Sequence, residues 1–255
     1  MNRTITPPKN VFVAQDEAGR MVGSARLELR PSPEQSFFLT FPLVLPAWRG
    51  KGIEGLLLKR LWKGAEERRG GLRSKRVYFH ACCGGHQEQL IAAYRSVGLR
   101  AMRSGPHMVY EPLENLSQSQ PPRGIEVRPY IKGQDDESTV ETLNEAFADD
   151  RQFVPITTER RARCLASPVF REELNLVGAG GEKVVGLCTC IIHEESSRWL
   201  MRRNGYVDTL CVLPAYRRQR LGRALLLAGL HALKEAGVES ATLDTDTDNP
   251  TQAVG

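Results

Sequence analysis

Apolar residues recur along the chain with two periods, and the switches between them mark the elements. VFVAQDEAGRMVGSARLEL (11–29) alternates on both sides of a glycine-containing turn and predicts two strands, and SFFLTFPLVLP (36–46) predicts a third. Helical spacing over 52–69 follows, then a strand in KRVYFHACC (75–83) and a helix in HQEQLIAAYRSVG (86–98), closed by Gly98. LRAMRSGPHMVYEP (99–112) predicts a final pair of strands. EPLENLSQSQPPRG (111–124) has no period and is rich in Pro, Ser and Gln, so it predicts a linker. Beyond it, IEVRPY (125–130) reads as a strand, STVETLNEAFADD (138–150) and a patch near 158–166 as helices, and LNLVGAGGEKVVGLCTCII (174–192) as a strand pair. GYVDTLCVLP (205–214) is a further strand, 221–236 a helix ended by Gly237, and SATLDTDTDNP (240–250) another strand.

The two halves repeat one another. VLPAYRRQRLGRALLL (212–227) reads nearly as VLPAWRGKGIEGLLL (44–58), and Val22-Gly23 in the first strand pair corresponds to Val185-Gly186 in the second. Order and spacing agree, so the expectation is an internal duplication. The first copy lacks the opening strand and helices, and the second stops at NPTQAVG, where the first continues. We expect two α/β domains with mixed central sheets, 1–113 and 125–255, joined by a linker at 114–124, each incomplete at a chain end.

Length and composition narrow the class. A chain of 255 residues with 41% hydrophobic content can fill two cores. A formal charge of +5, spread along the sequence, favours anionic ligands without calling for nucleic acid. No apolar stretch approaches the roughly 18 residues of a membrane span, and MNRTITPPKN lacks the apolar core of a signal peptide, so a soluble, cytoplasmic protein is expected. Cys82, Cys83, Cys164, Cys188, Cys190 and Cys211 show no CxxC spacing and read as reduced, mostly buried thiols, with no metal expected.

Candidate chemistry gathers at the repeated loop. GKGIEG (50–55) fits G-x-G-x-x-G, the turn that binds dinucleotides. Against that reading, PAWR separates the turn from its strand, the next strand ends without an acidic residue, and the second copy has one glycine in this stretch. Both copies do share an arginine-led loop at a helix N-terminus, where free backbone N–H groups, the helix dipole and guanidinium groups converge. That is the chemistry of a pyrophosphate site. In the second copy Gln219, Arg220, Leu221, Gly222, Arg223 and Ala224 fit Q/R-x-x-G-x-G/A, with Gly222 and Ala224 small enough for phosphate oxygens to approach.

At this unit, VDTLCVLPAYRRQRLGRALLLAGL, the sequence resembles the GNAT superfamily of acyl-CoA-dependent N-acetyltransferases, as a tandem-domain member. DTDNPTQAVG and IAAYRSVGL extend the resemblance over nearly all the chain outside the linker. The resemblance implies acetyl-CoA as cosubstrate, lying between two parallel strands splayed by a bulge. The backbone of Leu210, Cys211 and Val212 would pair with the pantetheine arm, the loop from Arg217 and Arg218 to Arg223 would hold the pyrophosphate, and Asn249 would lie near the pantetheine. It implies a small-molecule amine as partner, in a monomer or homodimer, with no nucleic acid and no membrane. Asp208, four residues before Val212, is where the family often carries its base; alternation puts it on one face with Leu210 and Val212. A strand-edge carboxylate in a salt bridge is the other reading. Asp244, Asp246 and Asp248 would hold a cationic amine or stand solvated, and acceptor specificity would lie in loops such as 193–205.

The first copy departs at three places. Glu54 stands where the second has Gly222, setting a carboxylate toward the pyrophosphate; Pro42 replaces Leu210, removing a backbone N–H; Thr40 replaces Asp208. Tyr94 keeps the position of the family's proton donor. The expected function is acetyl transfer by direct attack in the second domain. The competing class is a non-catalytic tandem acyl-CoA sensor or scaffold.

Overall fold

The computed structural model describes residues 10–118, 120–150, 153–192 and 203–246. The chain forms two compact units that part between Met102 and Arg103.

In the first unit β1 (Val11–Gln15), β2 (Met21–Arg30), β3 (Gln35–Val44) and β4 (Arg76–Ala81) form one sheet in that order. The first three are antiparallel neighbours, and β3 and β4 run parallel. Parallel pairing needs a crossover, which α1 (Ile53–Arg69) supplies. Leu57, Leu58, Leu61 and Ala65 recur along one stripe of α1 and bury against Ala25, Leu27 and Phe38 of the sheet. α2 (Glu88–Ser96) adds Tyr94 to the same core.

The second unit has a six-stranded sheet in the order β5 (His107–Tyr110), β10 (Ser240–Asp244), β9 (Asn204–Val212), β8 (Lys183–Ile192), β7 (Asn175–Gly180), β6 (Glu126–Pro129). α5 (Leu221–Glu235) covers one face through Leu221, Leu225, Leu230 and Leu233. α3 (Asp136–Ala146) and α4 (Thr158–Leu165) cover the other, over Val177, Val184, Leu187 and Cys211.

The duplication is present in atomic detail. Gly23 pairs with Val44 and Gly186 with Val212. A Cβ on Gly23 would lie 3.0 Å from the Leu43 carbonyl oxygen, and one on Gly186 2.9 Å from that of Cys211, so both sheets bring backbones together where only glycine fits. Matching register shifts fall between Ala14 and Gln15 and between Gly178 and Ala179.

One strand goes elsewhere than the sequence suggests. The pair expected in 99–112 is a single strand, β5, and it pairs antiparallel with β10 in the second sheet. The segment after it is docked: Leu113 is buried in the second core, its N–H bonds the Glu239 carbonyl at 3.3 Å, and Lys234 Nζ donates to the Glu114 carbonyl at 3.0 Å. Burial of Leu113 and the unfilled edge of β10 draw residues 103–118 into the second unit, so the units part some ten residues before the expected boundary at 113.

Candidate active site

The site is built where β9 and β10 separate. Their parallel pairing runs from Asn204 opposite Ser240 to Tyr206 opposite Thr242 and stops there, while β9 continues to Val212. On the other side of β9 the register with β8 slips between Thr189, opposite Thr209, and Cys190, opposite Val207, leaving Asp208 as the extra residue. A bulge of this kind bends its strand and sharpens the twist, which turns the end of β9 away from β10. Among the described residues no strand pairs with the edge of β9 thus opened.

That edge carries part of the expected backbone set. Leu213 N–H bonds the Val185 carbonyl across β8 at 2.9 Å, so by alternation Cys211 also turns its amide toward β8, and Leu210 and Val212 turn theirs to the open side. Cys211 therefore departs from the expectation. Its side chain packs under α3 and α4, and burial pushes its thiol up to about 12. The bulge also removes Asp208 from simple alternation with Leu210 and Val212. Asp208 is exposed and accepts from the Thr209 hydroxyl at 3.2 Å.

The loop follows Pro214–Tyr216, one turn of 3-10 helix, and both copies draw the same backbone. Arg217 is extended, Arg218 and Arg220 have φ of 60° and 67°, and α5 begins at Leu221; in the first unit Arg49 is extended, Gly50 and Gly52 have φ of 71° and 86°, and α1 begins at Ile53. A left-handed residue with a Cβ costs about 1–2 kcal/mol, so the second loop holds two strained arginines where the first uses glycine. Arg217 braces the turn, as Arg49 does in the first unit: each donates Nε to the carbonyl that ends its strand, Val212 or Val44, at 3.1 Å. Arg217 also donates to the Ala146 carbonyl at 2.8 Å, at the C-terminal, electronegative end of α3. Gln219 Nε2 donates to the Ala215 carbonyl at 2.9 Å, leaving Arg218, Arg220 and Arg223 exposed around the helix start.

The amides available at that start are those of the cap and first turn, Arg220 to Arg223. Ala224 lies outside this set: it is buried and its N–H bonds the Arg220 carbonyl at 3.0 Å. Gly222 has open space beside it, since a Cβ there would meet Val212 at 3.7 Å and nothing nearer among the described residues. No acidic residue stands in the first turn of α5. In the first unit the corresponding place is filled. Glu54 is 5% exposed, its Oε1 accepts from Gly50 N–H at 3.2 Å, and the Gln89 side chain lies against Gly50.

Of the strand-end carboxylates, Asp244 accepts from Tyr206 and faces His107, and Asp246 pairs with Arg103 at 2.7 Å. His107 and Tyr206 were not singled out from the sequence. The signal lay in HMVY, whose alternation fits an edge strand, and in the carboxylates of DTDT that such a strand could meet. Tyr94 donates to the Cys82 carbonyl at 3.0 Å, and burial pushes its hydroxyl up. Asn249, Asp248 and most of 193–205 lie outside the described residues. Among the described residues no cluster of three metal-ligating side chains occurs, and no helix is long and apolar enough to cross a membrane.

The chain is similar to known proteins in sequence and in fold. Residues 138–253 match the acetyltransferase (GNAT) family. Mycothiol acetyltransferase of Thermobifida fusca (strain YX) is 27% identical over 93% of this chain and 74% of its own length. Those of Pseudarthrobacter chlorophenolicus and Catenulispora acidiphila are 28% and 30% identical over 81% of this chain, which spans 61% and 63% of their lengths. Among solved structures, a GCN5-related N-acetyltransferase from Sphaerobacter thermophilus superposes with a TM-score of 0.74, at 20% identity, over 98% of this chain and 76% of that one. A tandem GNAT protein from the clavulanic acid biosynthesis pathway superposes with a TM-score of 0.56, at 17% identity, over 95% of this chain and 77% of that one. The two units thus share one duplicated fold, and the second carries an N-acetyltransferase domain of the GNAT family.

Proposed function

We propose that the second unit transfers the acetyl group of acetyl-CoA to the primary amine of a small molecule by direct attack. The observation that carries this reading is the open helix start of α5. Its amides, three exposed arginines and absence of any first-turn acid favour a pyrophosphate, and it stands beside a strand edge able to pair with an extended amide chain. Leu210 and Val212 supply that edge, Arg218, Arg220, Arg223 and Gly222 hold the phosphates, and Arg217 keeps the loop in shape. Asp208, exposed at the bulge, meets the cationic amine. The relatives' name points to the free-amine form of mycothiol as acceptor.

The chemistry asks little of the protein beyond placement. A neutral amine attacks the thioester carbonyl, the tetrahedral intermediate expels the CoA thiolate, and the nitrogen's surplus proton leaves with it. The first unit shapes and supports, because Glu54 already occupies its loop.

Calorimetric titration with acetyl-CoA tests the reading. One site per chain in the wild type, lost in Gly222→Glu, is expected; no heat from the wild type overturns the reading.

A further inference from the structure

β5, β10 and β9 are successive neighbours in the second sheet, and one side chain from each meets at a single carboxylate. His107 Nδ1 lies 2.7 Å from Asp244 Oδ1, and the Tyr206 hydroxyl donates to Asp244 Oδ2 at 3.1 Å. Strand register creates the cluster: His107 is directly opposite Asp244, and Tyr206 is the last residue of β9 with a partner on β10. It therefore stands at the fork from which the open edge of β9 departs.

Stability does not account for the arrangement. The His107 and Asp244 side chains are 59% and 57% exposed, and exposed pairs contribute about 0–1 kcal/mol. Chemistry does account for it. An ionised carboxylate only accepts, so the hydrogen of a neutral imidazole must sit on Nδ1, leaving the Nε2 lone pair free. Tyr206 holds the second carboxylate oxygen. Partial burial pushes its phenol up to about 12, with the charges of Asp244 and Asp208 adding, so the O–H persists as a donor at neutral pH. Asp246, two residues beyond Asp244, pairs with Arg103, which also engages Asp150.

We propose that His107 is the general base for the acceptor amine, with Asp244 as the positioning residue that sets its tautomer and Tyr206 as the one that holds Asp244. His107 Nε2 takes a proton from the ammonium substrate, whose freed lone pair forms the C–N bond at the thioester carbonyl. The C–S bond breaks, the thiolate takes the second nitrogen proton through water, and the imidazolium returns its proton to solvent. The inference rests on the acetyl-transfer reading and moves the basic role expected of Asp208 to a residue of the strand that joined this sheet.

The test is steady-state acetylation of the free-amine form of mycothiol, with product read by mass spectrometry, alongside calorimetry of acetyl-CoA. His107→Gln is expected to lower kcat/KM about 100-fold, to flatten the acidic limb of its pH profile, and to leave acetyl-CoA affinity within about twofold. Added imidazole restores part of the activity of His107→Ala, and Asp244→Asn lowers kcat while sparing acetyl-CoA binding. A His107→Gln enzyme that binds acetyl-CoA and keeps both the wild-type rate and the acidic limb overturns the assignment and leaves the acetyl-transfer reading standing. A wild type that binds no acetyl-CoA removes the reading and the assignment together.

Discussion

The two arginine-led loops have one backbone and opposite contents. In the first, glycines take the left-handed positions without strain, and Glu54 turns back to satisfy the Gly50 amide, so the anion belongs to the protein itself. In the second, Arg218 and Arg220 hold left-handed φ against their own Cβ atoms, and the residue matching Glu54 is Gly222. Backbone strain persists where the surroundings over-determine it, and it clusters at ligand sites. The difference teaches that a loop's shape and its contents separate within a single chain: the shape survives in both copies, and under the proposed function one side chain decides whether an outside anion can enter.

Exchanging that side chain breaks the comparison most sharply. Gly222→Glu sets a carboxylate at the start of α5 and is expected to weaken acetyl-CoA binding by about 100-fold or more, since like charges repel and the amides acquire an internal partner. Calorimetry reads it. In the other direction, Glu54→Ala leaves the Gly50 amide without its acceptor, and loss of a hydrogen bond to a charged group predicts about 1–2 kcal/mol less stability. Urea unfolding followed by the fluorescence of Trp48 and Trp62 measures this in the first unit. Arg220→Gly sharpens the point about strain, because two properties should move in opposite directions. Unfolding free energy should rise by about 0.5–1 kcal/mol as the left-handed penalty is relieved. Acetyl-CoA affinity should fall several-fold and lose part of its salt dependence.

The smallest effect is a dependence on alkaline pH, to which Cys211 and Tyr206 contribute in the second unit. Burial raises Cys211 from 9.0 and Tyr206 from 10.0, each to about 12. Below pH 9 both groups are protonated, folded or unfolded, and stability is at its full value. Between pH 9 and 12 the unfolded chain ionises them while the fold holds them neutral, so stability falls as pH rises through that window. Urea midpoints over the range should decline, and Tyr206→Phe should decline less.

Local features were open to reading from the residues. Alternation and helical spacing mark most strands and helices, and the repeat of VLPA with an aromatic and an arginine exposes the duplication, because both copies bury equivalent faces. Glu54 is visible as the residue that sets the loops apart, although its carboxylate folds into its own loop rather than standing in a ligand's way. Non-local features were not open. Nothing periodic in HMVY says which sheet edge it joins, since pairing partners are chosen by open edges and by burial of residues such as Leu113 far along the chain. The bulge at Asp208 adds one residue to a pattern that looks unbroken. Arginine in a left-handed conformation runs against its own preference, so the motif seemed to lean on Gly222 and Ala224, while the turn is made at 218 and 220 and Ala224 serves the core.

The docked strand β5 also settles where this chain can be divided. Residues 111–124 have the composition of a hinge, and a cut there would appear to separate the two copies of the repeat. Such a cut would strip β10 of its neighbour and leave a row of unpaired N–H and C=O groups along the edge, a template for aggregation. The repeat and the unit of folding have come apart: the first copy as read from the sequence runs on through β5, and the second compact unit begins before it.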